Sequence, residues 1–166
     1  MVNNMETLTN LMAERSVIGA IMINGASDAA TFALDLLQET DFYFRETRIA
    51  WKAIAAVSQS SNPIDIITVT DHIDSHGLNL EFHAVASMGS ETPSQANLKR
   101  YAELVKQSSV LRAAYTACLN AAEQINDSGD PDERLSKAMQ TLSVIGQSSA
   151  TGADAVCASD VLGEVL

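Results

Sequence analysis

Apolar residues return every three to four positions along most of the chain, the spacing of one buried helix face. Leu8, Leu11, Met12, Ile18, Ile21 and Met22 follow it until Asn24-Gly25 ends the run. Ser27-Asp28 can cap a second helix whose apolar positions include Phe32, Leu36 and Leu37. Asp41-Phe42-Tyr43-Phe44 reads as a turn that drops aromatics into a core. A third helix is predicted from about Glu46 to Gln59, burying Ile49, Ala50, Ala53, Ile54 and Val57, with Trp51 partly off that stripe. After the Ser60-Ser61-Asn62-Pro63 loop, Asp65 is an N-cap and Gly77 a left-handed stop. The β-branched run Ile64 to Val69 could pass for a strand, but cap and stop agree on a helix. A short helix from about Leu80 to Ala86 follows, broken at Met88-Gly89-Ser90.

The second half changes character. Thr92-Pro93-Ser94 opens a pattern that runs to about Asn126 with no Pro or Gly inside. Tyr101, Val105, Leu111, Tyr115, Cys118, Ala122 and Ile125 keep a three-four rhythm, as in the seam of a two-helix contact, with Ser108 as its polar gap. Gly129-Asp130-Pro131-Asp132-Glu133 restarts a helix with a cap, Pro at the first turn and acids at the positive end of the dipole. Leu135, Met139, Leu142 and Ile145 repeat the seam, and Ala113, Ala114, Ala117, Ala121 and Ala122 allow close backbone approach. From Gly146 to Ala158 the composition is that of a linker, and Ser159-Asp160 caps a new apolar start at Val161-Leu162. The predicted fold class is therefore all-α: a helical globule over 1–92, an antiparallel helical hairpin over 93–146, and a linker with the start of a linker helix over 147–166.

Composition narrows the function. With 46% apolar and 19% charged residues, the 166-residue chain is globular, and its formal charge of −11 disfavours tight binding of nucleic acid and a polybasic membrane anchor. No apolar stretch reaches membrane-span length, and Met1 to Asn10 lacks the pattern of a signal peptide. Cys118 and Cys157 stand in no metal or redox spacing and read as reduced thiols, so the expected location is cytoplasmic.

The chemistry is mostly absent. There is no Gly-Lys dipeptide for a Walker A loop, no G-x-G-x-x-G and no G-x-S-x-G. His72 and His76 stand at zinc-ligand spacing, with Asp71 or His83 as a third ligand. A solvated last helical turn explains the same residues, and a solvated loop explains the acids from Glu123 to Glu133. Cys118 on the seam reads as a packed small hydrophobe, and Phe42-Tyr43-Phe44 as core rather than a base-stacking platform. No catalytic, cofactor-binding or metal residue is assigned.

Four blocks in order resemble one family. Ala13-Glu14-Arg15-Ser16-Val17-Ile18-Gly19 looks like the opening A-E-x-S-V-L-G of the N-terminal domain of replicative hexameric DNA helicases, the DnaB family. Asp41-Phe42-Tyr43 with Arg45 and Arg48 is similar to D-F-Y-x-R-P-H-R, and Pro63 to Val69 to P-I-D-L-I-T-L. Thr92-Pro93-Ser94-Gln95-Ala96-Asn97, then Tyr101-Ala102 and Val105, resembles N-T-P-S-A-A-N followed by Y-A-x-x-V, and Val110-Leu111-Arg112 matches the next block. The chain departs at Glu46-Thr47, where the family has Pro-His, at Glu91, at Ser108, and over Leu78 to Ala84, which suits a phage- or plasmid-encoded version.

The resemblance implies a non-catalytic collar domain for DNA replication, with no cofactor. Its hairpins pair between neighbours, from a dimer up to a six-subunit ring. Its partners are the C-terminal domain of primase and, through the linker helix, the neighbouring subunit's motor domain. The ATPase motor follows the linker in the family and is not expected within these residues. The expected interface residues are Tyr101, Val105, Leu111, Tyr115, Cys118, Leu119, Leu135, Met139 and Leu142. Two other readings compete: a stand-alone collar homologue that regulates a host helicase ring, and a small metalloenzyme built on His72, His76 and His83.

Overall fold

The computed structural model describes residues 5–25, 27–60 and 62–149. The expected linker-helix start at Ser159-Asp160 lies outside them. The fold is all-α. Among the described residues there are seven α-helices and no strand: α1 Leu11–Ile23, α2 Asp28–Leu36, α3 Arg45–Ser58, α4 Ile66–Ser75, α5 Phe82–Ser90, α6 Leu98–Asn126 and α7 Pro131–Ser149. None is long and apolar enough to cross a membrane.

Local chemistry sets the boundaries. Asn10 caps α1 by accepting from the Ala13 amide, and Ser27 caps α2 by accepting from Ala30. Asp65 caps α4 twice over. Its carboxylate accepts from the Ile67 and Thr68 amides while the Thr68 hydroxyl accepts from the Asp65 amide. That box fixes as helix a run whose β-branched content also suits a strand. Gly77, at φ +62°, ends α4 in the left-handed region open to glycine. Asp130 opens α7 by accepting from the Asp132 and Glu133 amides, with Pro131 first in the helix.

Contacts divide the chain into two units, Met1–Ser109 and Val110–Leu166. The first has a core of Val17, Ile18 and Ile21 from α1, Ala50 and Ile54 from α3, Val69 and Ile73 from α4, and Val85 and Met88 from α5. Leu98, Ala102 and Val105, in the first turns of α6, belong to the same core. The boundary between units therefore falls inside α6, beyond the residue 92 at which the sequence divides globule from hairpin.

Three local expectations are corrected. Met88-Gly89-Ser90 does not break the chain but completes α5, where Met88 is fully buried. Trp51 is buried rather than half off its stripe, because Phe42 stacks on it at 4.8 Å between ring centroids. Helix α7 continues to Ser149, past the expected end at 146.

Candidate functional site

The residues that carry the resemblance form a clamp in the first unit. Glu14, on α1, is almost fully buried. Its carboxylate accepts from the Tyr43 amide at 3.0 Å, the Phe44 amide at 3.3 Å and the Thr47 hydroxyl at 2.5 Å. Phe44 occupies the N-cap of α3 and has no capping side chain, and the Glu14 carboxylate holds its amide and places a negative charge at the positive end of the helix dipole. Arg48, one turn into α3, donates back to the Phe42 carbonyl at 2.8 and 3.0 Å. Asp41 accepts from the Gln38 amide at 2.8 Å and from Lys106 Nζ at 3.1 Å. Thr47, which stands where the family pattern has His, is thus one of the three donors to Glu14.

The first block also sets the spacing of α1 and α5. A Cβ on Gly19 would lie 2.1 Å from the Met88 carbonyl oxygen and 2.0 Å from Thr92 Oγ1. Only glycine fits there. One turn earlier, Arg15 donates to Glu91 at 2.8 Å and to Ser87 at 2.8 Å. These motif residues are occupied by one another. They hold the globule together and leave no exposed catalytic constellation.

The histidines do not gather. His72 and His76 stack at 3.9 Å between ring centroids, and His76 Nδ1 lies 2.9 Å from the His72 carbonyl oxygen. Burial, then the His76 imidazole, hold the His72 pKa below its ordinary value, against the pull of Asp71. His83 is exposed at the start of α5. Among the described residues no three His, Cys, Asp or Glu side chains are placed to hold a metal, which removes the geometric basis of the metalloenzyme reading.

In the second unit the expected seam is corrected. Arg134 Nη2 donates to the Ile125 carbonyl, and Thr141 Oγ1 donates to Gln124 Oε1 at 2.9 Å. Ala121 on α6 and Ala138 on α7 are both buried. The arms therefore meet on small and polar residues. Leu111, Leu119, Ile125, Leu135, Met139 and Leu142 are instead between 41% and 62% exposed. Cys118 is exposed, not packed, and Tyr115 is half-buried. Val105 is buried in the core of the first unit and Tyr101 packs partly against it, so neither lies on the hairpin's outer surface.

Most of the outward residues share one face, while Leu119 and Ile125 lie to either side of it on α6. At about 100° per residue, Leu111, Tyr115, Cys118 and Ala122 occupy a sector of about 60°, centred roughly 90° round α6 from Ala121. Leu135, Met139 and Leu142 occupy a like sector of α7, about 70° round from Ala138 in the same rotational sense. Two antiparallel right-handed helices that face each other turn such sectors to the same side. One side of the hairpin is thus a continuous apolar strip with no charged residue in either sector. At its turn end, Glu133 and Lys137 pair at 2.7 Å, which lowers the glutamate pKa and raises the lysine's.

Comparison with known proteins places the chain in a family and a fold. Residues 6–107 match the family described as DnaB-like helicase N terminal domain. The chain is 28% identical over 148 residues to the replicative DNA helicase DnaC of Bacillus subtilis, covering 87% of this chain and 32% of that protein. It is 30% identical over 109 residues to the replicative DNA helicase DnaB of Leifsonia xyli, covering 62% of this chain and 23% of the relative. The chain thus spans about a third or less of the length of these relatives. The N-terminal domain of DnaB helicase from Mycobacterium tuberculosis has the same fold, with a TM-score of 0.73 at 24% identity over 82% of this chain and 97% of that one. With the family match spanning more than half of its length, this chain belongs to the DnaB-like helicase N-terminal domain family.

Proposed function

We propose that the chain serves DNA replication as the non-catalytic N-terminal domain of a replicative helicase, holding protomers together in a ring and presenting a docking surface for primase. The observation that carries this is the uncharged apolar face of the hairpin. Leu111, Leu135, Met139 and Leu142, each about half exposed, offer about 100 Å² each, or roughly 400 Å² per protomer, to which Tyr115 and Cys118 add. A self-complementary pairing would bury on the order of 1,000 Å² in total, at the low end of specific interfaces. Burying the same patch on both copies is the economical route to closed symmetry. Motif residues spent on internal bonds fit a scaffold rather than an enzyme. Docking of primase, and of a neighbouring motor domain through the segment after α7, rests on the likeness to helicase relatives.

Sedimentation velocity tests the reading. A dimer or larger species is expected at micromolar concentration. Leu111→Asp with Met139→Asp should give a monomer whose helical circular dichroism and Trp51 fluorescence are unchanged. A wild-type chain that stays monomeric at tens of micromolar overturns the reading.

A further inference from the structure

One pair of side chains in the first unit serves neither the core nor the motif clamp. His83 stands apart, but His72 and His76 lie one turn from each other on α4. Their rings stack at 3.9 Å between centroids, with 22° between the planes. Both line a groove of about 450 Å³ between α4 and the end of α3, together with Val57, Ser60 and Asp71. The groove lies wholly within the first unit and does not depend on the hairpin.

Hydrogen bonding fixes which ring nitrogens are free. His76 Nδ1 lies 2.9 Å from the His72 carbonyl oxygen. A carbonyl oxygen only accepts, so in the neutral ring Nδ1 carries the proton and Nε2 keeps its lone pair. A metal-ligating imidazole is held in the same way, with its other nitrogen donating to a backbone carbonyl. Among the described residues no hydrogen bond takes either ring nitrogen of His72. Burial, then the His76 imidazole, hold His72 toward its neutral form, which has a lone pair to give.

We propose that His72 and His76 chelate a divalent first-row ion of the zinc, nickel and copper class, with water on its remaining positions. Imidazole suits these ions, whereas Mg2+ prefers oxygen ligands and keeps its own waters. Metal–nitrogen bonds of about 2.0–2.1 Å at a tetrahedral centre set two nitrogens about 3.3 Å apart. Near-parallel rings one turn apart come close to this spacing, and small turns about the side-chain torsions converge the two lone pairs. Asp71 lines the same groove, and its carboxylate offsets the charge of the ion. Among the described residues no third His, Cys, Asp or Glu is placed to join them, so the ion rests on two protein ligands rather than on the closed set of a structural zinc. Once bound, it ties consecutive turns of α4 together, next to the stop at Gly77.

Isothermal titration with NiCl2 and ZnCl2, in an excess of Mg2+, tests the site. The untagged chain carries Cys118→Ser and Cys157→Ser, which removes the thiols as rival ligands. Saturable binding of a single ion per chain is expected. His72→Gln and His76→Gln should each weaken it by at least about tenfold, while His83→Gln leaves it unchanged. Electron paramagnetic resonance of bound Cu2+ should show two coordinated nitrogens, and only one after His76→Gln. Trp51 fluorescence checks that each variant keeps the first unit folded. A chain that shows no saturable binding up to millimolar ion overturns the proposal. Binding that survives the combined His72→Gln and His76→Gln change also overturns it, and assigns the ion to the acidic surface instead.

Discussion

Replacing Glu14 with alanine removes one carboxylate and strands the donors that depend on it. The Thr47 hydroxyl retains a second acceptor, the Phe44 carbonyl at 3.0 Å. The Tyr43 and Phe44 amides, just ahead of α3, lose this acceptor. Each stranded buried amide costs about 1–3 kcal/mol, and the lost interaction with the dipole about 0.5–1 kcal/mol more. The expected loss is therefore about 2.5–7 kcal/mol, a large part of the 5–15 kcal/mol that domains commonly have. Glu14→Gln keeps one carbonyl acceptor and should lose roughly half as much. The chain has one tryptophan, Trp51, stacked on Phe42 beside this turn, so its fluorescence reports on the first unit alone. Urea titrations should show a lower midpoint with an unchanged slope, in the order wild type, Gln, Ala. A loss under about 1 kcal/mol for Glu14→Ala would mean that the Tyr43 and Phe44 amides find other acceptors, and the Glu14 carboxylate would not be what fixes the Asp41–Phe44 turn.

Two further outcomes follow from the same packing. Gly19→Ala should force α1 from α5 and cost at least the 1–3 kcal/mol of overpacking, because its Cβ meets the backbone carbonyl of Met88; an unchanged urea midpoint would refute the close approach. His72 is held toward its neutral form in the fold, so below the ordinary imidazole pKa of about 6.5 the unfolded chain binds more protons than the folded one. Stability should fall as the pH drops from there through the depressed folded value, and His72→Gln should flatten that slope in thermal melts; an equal slope in both proteins would refute it.

Much of the first unit is written in short-range chemistry. Asp65, Thr68 and Gly77 announce α4 because a cap, its reciprocal partner and a left-handed stop are local features. Asp130-Pro131 announces α7 for the same reason. The motif residues were readable as a family signature but not as a clamp, since Glu14 and Tyr43 are 29 residues apart and meet only once α1 and α3 pack. Gly89 misled for a related reason. An isolated glycine signals a break, but Met88 anchors α5 in the core, and that burial outweighs the glycine's modest helix penalty.

The sequence alone shows that the second half is two helices joined at Gly129-Asp130-Pro131, because helical period and capping are properties of neighbouring residues. It could not determine which stripe of each helix meets the other. A three-four rhythm has the same period whether it faces a partner arm or the outside, and only the phase differs. The tertiary structure fixed that phase by burying the small side chains of Ala121 and Ala138, and so turned the large apolar residues outward.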